Sequence, residues 1–305
     1  ETLPLIASVA AAIVLEAAPF LLVGSLLGAL VHVLVPESAL RRLPRSPGGQ
    51  VLAGLAAGFV LPVCECGMVP LARRLLGRGV PPRLVLAYML AGPVLNPVAL
   101  ASTLVAFRGD WGMVLWRAVL VMAPAAALAL ALGEAPAEAL LRPARNGLGD
   151  LRGRPAPAPA ACACGGEFSG SRWRTVASHT ASEFLDMLGF LLLGALAAGV
   201  CKVLLPPEAV RALAGSPLLA VGGMMALAVL LSVCSEADAF VAASFNAFPI
   251  PAQLAFLALG PMLDLKLAPM YLAVFRRRAA LALILVPALV VFLECATMAL
   301  AGAGF

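Results

Sequence analysis

The sequence predicts an all-α polytopic membrane protein made of two pseudo-symmetric halves, and three observations carry that reading. Of 305 residues, 62% are hydrophobic and 12% charged, with a mean hydropathy of +1.01; a soluble domain carries about a quarter charged residues. Apolar runs long enough to span a bilayer, about 20 residues, recur at 3–35, 111–132 and 279–305. The chain also repeats itself. A shift of 170 residues sets Glu16 on Asp186, Phe20 to Leu22 on Phe190 to Leu192, Gly24 on Gly194, Arg41 on Arg211, and Val63-Cys64 on Val233-Cys234. After a two-residue slip, "GPVLN" (92–96) meets "GPMLD" (260–264). A fixed offset that matches Cys, Gly-Pro and acidic positions marks a duplicated unit.

The first half covers 1–133. Its opening apolar run contains Glu16; the next stretch, "GGQVLAGLAAGFVLPVCECGMVPLARRLLGRG", is interrupted by Pro62 to Gly67. Two further apolar runs follow, one broken at "GPVLNP". Residues 134–174 differ in kind. They are rich in Pro, Gly, Ala and Arg without apolar periodicity, and read as an aqueous linker. The second half, 175–305, repeats the first. No cleavable signal pattern is legible at the start.

Charge sets the expected topology. Eight simple spans with parallel repeats would put the basic stretches 41–45 and 73–83 on opposite faces, against the positive-inside pattern. A re-entrant hairpin with its tip at 62–67 brings Arg41, Arg42, Arg45, Arg73, Arg74, Arg78 and Arg83 to one face, with the linker arginines and Arg276 to Arg278. Each half then has three spanning helices and one broken hairpin, and the second half is inverted. Such repeats are a common build of secondary transporters, with the substrate near the midplane where helices break. The net charge of +5 thus reflects loops at a membrane surface, and a nucleic-acid partner is not expected.

The four breaks, "PVCECG", "GPVLNP", "SVCSEAD" and "GPMLD", hold most of the chain's apolar-embedded polar residues. Irregular backbone within a bilayer must be buried in protein or line a cavity, and ionisable groups there mark substrate or ion pathways. The expected metal-binding set is Cys64, Glu65, Cys66, Asn96, Cys234, Glu236, Asp238 and Asp264. Thiolates suit soft or borderline ions such as Cu(I) and Zn(II), and carboxylates compensate cationic charge. Lys266 is either a fixed partner of Asp264 or a substrate group. Glu16 and Asp186, at equivalent positions, are candidates for proton coupling. Cys162 and Cys164 in the linker form a Cys-Ala-Cys suited to metal contact and a soluble metal donor, without the further spacing of a closed zinc site. Cys201 and Cys295 read as small hydrophobes.

"LPVCECGMVPLARRLLGRGVPP", "LAGPVLNPVAL" and "SVCSEADAFVAASF" resemble the ArsP-type predicted-permease family over nearly the whole chain. The resemblance implies efflux of a toxic soft metal or metalloid across a bacterial inner membrane, with the linker cytoplasmic. Members include permeases for trivalent organoarsenicals, and a Cys-Glu-Cys-Gly branch is associated with copper and zinc efflux. Cys64 and Cys66 are the carried-over binding residues. The combined expectation is a permease and not an enzyme, without a resident cofactor, exporting Zn or Cu by alternating access. Trivalent organoarsenicals are the alternative. A membrane thiol-disulfide oxidoreductase using Cys64/Cys66 and Cys162/Cys164, or a passive channel, are the rival classes. No GxxxxGK[ST] motif offers an ATP site.

Overall fold

A computed structural model describes residues 2–34, 43–60, 63–142, 172–204 and 215–302. These residues are almost entirely helical, with no strand among them and one isolated bridge, Leu141 to Phe275. Five stretches are long and apolar enough to cross a membrane: Pro4–Leu27, Pro82–Ala106, Trp111–Leu132, Thr180–Val203 and Arg277–Leu300.

The first half begins with α1 (Thr2–Leu34), followed by α2 (Pro47–Val60) and α3 (Glu65–Gly77). Then come α4 (Pro82–Leu95), α5 (Pro97–Ala106) and α6 (Trp111–Leu132). Proline opens α2, α4 and α5, where a missing N–H costs nothing. The same chemistry breaks the long span 82–106. Pro97 forces Asn96 out of helical geometry, to ψ 127°, and the Asn96 side chain then accepts the Val98 N–H at 3.0 Å to start α5.

Glycine contacts fix the direction of the short helices. On α2, Gly54 lies against Leu84 and Ala87 while Gly58 lies against Ala91 and Gly92, so α2 runs alongside α4 in the same sense. Met68, at the start of α3, also meets Gly92, and the 78–81 connection returns α3 to the start of α4. Gly58 near the end of α2 and Met68 near the start of α3 thus both lie beside Gly92, with α2 parallel and α3 antiparallel to α4. Two backbones pass closely where Gly67 packs on Phe20 and Gly24 of α1, and a Cβ on either glycine would collide with the other chain segment.

Beyond α6, α7 (Ala137–Leu140) is a single turn that reaches across to the second half. Arg142 donates its N–H to Val274 (2.9 Å) and Arg276 donates its own to Leu140 (2.8 Å). The segment expected as linker is thus folded at 134–142, and its last residues, 172–174, belong to the next helix. Cys162 and Cys164 lie outside the described residues.

The second half contains α8 (Arg172–Leu204), α9 (Pro217–Leu231), α10 (Asp238–Ser244), α11 (Ile250–Leu259), α12 (Leu267–Val274) and α13 (Arg277–Leu300). Ser232 ends α9 in a left-handed conformation, φ 47°. Gly260 closes α11 beside Ala228, and the Asp264 carboxylate accepts the Leu267 N–H at 2.7 Å to begin α12. Helices in the second half therefore break at 232–237 and at 260–266, as those of the first half break at Asn96. The long helices α1 and α8 pack along each other. Gly199 sits against Ile6 and Ala10, while Ala195 and Ala198 share a small cluster with Ala10 and Ile13. These equivalent helices run antiparallel.

Candidate functional site

The breaks meet in the interior. Glu65 begins α3 and is 2% exposed; Asp264 and Lys266 sit in the loop before α12, at 0% and 2%. The Lys266 ammonium lies 2.9 Å from Glu65 Oε1 and 3.3 Å from Asp264 Oδ2, and donates to the carbonyl of Ser232 at 3.3 Å. That carbonyl is available because the left-handed Ser232 has left the α9 ladder. Glu65 Oε2 accepts from the Ser235 hydroxyl at 3.1 Å. A carboxylate of the first half is thus held by two groups of the second.

A reciprocal pair stands beside it. Arg117, in the second turn of α6, is fully buried and donates to Asp238 Oδ2 at 2.7 Å and to the Ser235 carbonyl at 3.3 Å. Its other nitrogen donates to Thr103 Oγ1 at 2.6 Å and reaches the Ala99 carbonyl at 3.5 Å. Each half contributes one acid and one base to the other. Burying such charges is costly, and only close pairing with further hydrogen bonds offsets the lost hydration.

The thiols adjoin this network. Cys64, the residue before α3, has Cys234 and Cys66 beside its sulfur. All three are free and buried. The Cys234 thiol donates to Glu236 Oε2 at 3.0 Å, and the Ser235 hydroxyl also reaches that oxygen at 3.3 Å. Glu236 is half-buried and is the most open carboxylate of the group. Four carboxylates, Glu65, Glu236, Asp238 and Asp264, therefore face two cations, Lys266 and Arg117, leaving an excess of negative charge. No three His, Cys, Asp or Glu side chains among the described residues stand in a geometry that would hold a metal ion.

Of the residues expected from sequence, Cys64, Glu65, Cys66, Cys234, Glu236, Asp238 and Asp264 fall in this one region. Asn96 is buried but spends its side-chain oxygen on the α5 cap. Glu16 is exposed on α1, and Asp186 is half-buried on α8 within electrostatic range of Arg73. Neither joins the network directly; Lys202 is within electrostatic range of Glu16, Asp264 and Lys266. Lys266 engages both Asp264 and Glu65. Arg117 and Thr103 were not singled out by the sequence reading. A lone arginine inside a 22-residue apolar helix was the available signal.

A helical, multi-pass chain whose broken segments collect ionisable side chains in its interior is a membrane transport protein in class. More particularly, residues 2–299 match the family ArsP_1, described as "Predicted permease", and the chain belongs to that family. It is 33% identical over 280 residues to "UPF0718 protein YcgR" of Bacillus subtilis (strain 168), covering 91% of each chain. It is 30% identical over 285 residues to a "Putative two-component membrane permease complex subunit" of Streptococcus mutans serotype c, covering 93% of this chain and 91% of that one. No solved structure matches.

Proposed function

We propose that this permease exports a thiophilic metal ion, Zn(II) or Cu(I), across a bacterial inner membrane by alternating access, with Cys64, Cys66 and Cys234 as ligands. The observation that carries the reading is the approach of Cys64 to both Cys66 and Cys234, which joins the halves through sulfur at their breaks. Soft ligands select such ions. Glu236, hydrogen-bonded to Cys234 and half-open, is the carboxylate available for charge compensation. Closing on the ion requires the thiols to move together, since the present arrangement holds no metal geometry.

A second reading, efflux of trivalent organoarsenicals, is favoured by one specific feature. Glu65, Asp264 and Asp238 are already engaged by Lys266 and Arg117, which suits a neutral thiol-seeking cargo better than a free cation. By the name of the Streptococcus mutans relative, a second membrane component is a natural partner.

Binding to purified protein separates these readings. With Zn(II), Cu(I) and phenylarsine oxide as probes, one should bind the wild type stoichiometrically and lose at least about tenfold in affinity in Cys64→Ser, about 1.4 kcal/mol. Unchanged affinity for all three removes the thiol site.

The inverted arrangement of the halves belongs to the same proposal and is supported by the antiparallel α1 and α8 and by the return of α3 beside α4. Single cysteines at positions 45, 78 and 109 in a cysteine-free background test it. Membrane-impermeant maleimide should label 45 and 78 from one face and 109 from the other. Labelling of 45 and 78 from opposite faces would restore eight simple spans.

A further inference from the structure

We propose that Arg117 is a positioning residue for the permease site: from the first half, it sets the second-half turn 234–238 so that Cys234 faces Cys64. The inference rests on the thiol site proposed above, though its test needs no metal.

The argument starts from the turn itself. Between Ser232 and α10 the backbone is irregular, and its local bonds are few: Ala237 and Asp238 donate their N–H groups to the Cys234 carbonyl, each at 2.9 Å. Such a short turn has little intrinsic rigidity. Arg117 clasps it at two points, the Ser235 carbonyl and the Asp238 carboxylate, the residues that flank the turn immediately after Cys234. A guanidinium is a rigid planar fork, so two acceptors held by one such group are fixed relative to each other.

The arginine is itself fixed. Thr103 Oγ1 accepts from it at 2.6 Å, and Thr103 in turn donates to the Ala99 carbonyl at 2.8 Å, anchoring the group on α5. The turn in the second half is therefore referenced to a helix of the first half. The hydroxyl of the same Ser235 holds Glu65, the residue next to Cys64. Arg117 makes its hydrogen bonds to Ala99, Thr103, Ser235 and Asp238 and works on the thiols through the peptide it grips. A fully buried cation that ties Thr103 of its own half to Ser235 and Asp238 of the other, adjoining the thiols, is placed to hold that register.

Proximity of two thiols reads out as the rate at which they oxidise to a disulfide. The background keeps Cys64 and Cys234, with Cys66, Cys162, Cys164, Cys201 and Cys295 changed to Ser, and carries a protease site between positions 143 and 171. After diamide treatment and cleavage, the halves stay covalently joined only if Cys64 and Cys234 have paired. Arg117→Gln should slow joining at least about tenfold, since small displacements of reacting groups cost large rate factors; Arg117→Lys should fall between. A control pair on the α1–α8 contact, Ile6→Cys with Gly199→Cys in a background free of other cysteines, should join at an unchanged rate. Joining of Cys64 and Cys234 at full rate in Arg117→Gln, or an equal loss in the control pair, overturns the proposal. If Arg117→Gln fails to fold, Thr103→Val and Asp238→Asn each remove one anchor and should each slow joining; undiminished rates in both overturn it as well. A metal-binding failure with normal crosslinking would count against the thiol site's cargo and leave the positioning role intact.

Discussion

Lys266→Met lowers the stability of the purified permease by about 3–5 kcal/mol, the cost of leaving a buried charge without its partner. Two carboxylates depend on that ammonium, Glu65 and Asp264, and both are almost completely buried. Asp264 also starts α12 and Glu65 starts α3, so the loss reaches the ends of two helices packed on each other. Adding Glu65→Gln and Asp264→Asn to Lys266→Met should recover most of the loss, because amides of the same shape carry no charge to strand. Thermal unfolding in detergent measures both. The contrast is Glu134→Gln, which removes the exposed partner of Arg83; surface pairs contribute about 0–1 kcal/mol, so little change is expected. Equal effects at positions 266 and 134 would mean that the central pairs do not form.

The parts of this arrangement that could be read from sequence are those with a local cause. Pro97 after Asn96 breaks a helix wherever it occurs, and the glycines and prolines around Cys64 announce an interruption in the same way. The offset repeat announces that the interruption happens twice. Which residues then meet is decided by packing between distant segments. Lys266 stands two residues from Asp264, and that pairing is open to a sequence reading; its closer approach to Glu65 depends on how α12 lies against α3. Arg117 and Asp238 lie 121 residues apart in different halves, so neither names the other in advance. The structure pairs three of the four carboxylates with buried cations, Glu65 and Asp264 with Lys266 and Asp238 with Arg117. The Asn96 side chain caps α5, a role that the proline after it makes legible. Pro, Ala and Gly composition does not reveal the pairing of the Arg142 and Arg276 backbones with the opposite segment.

Replacement of Cys64 and Cys234 together carries the largest functional effect expected of any change in the chain. Serine is close to cysteine in shape and can hydrogen-bond in its place but is a hard, poor ligand for soft ions, so the fold should survive while the cargo site does not. The direct measurement is accumulation of Zn(II), Cu(I) and phenylarsine oxide by everted membrane vesicles, wild type against Cys64→Ser/Cys234→Ser, at matched protein levels. One of the three should accumulate in wild-type vesicles and fall at least about a hundredfold in the double variant, near 2.7 kcal/mol of lost interaction. Accumulation at the same rate in both would contradict a transport site built on these thiols.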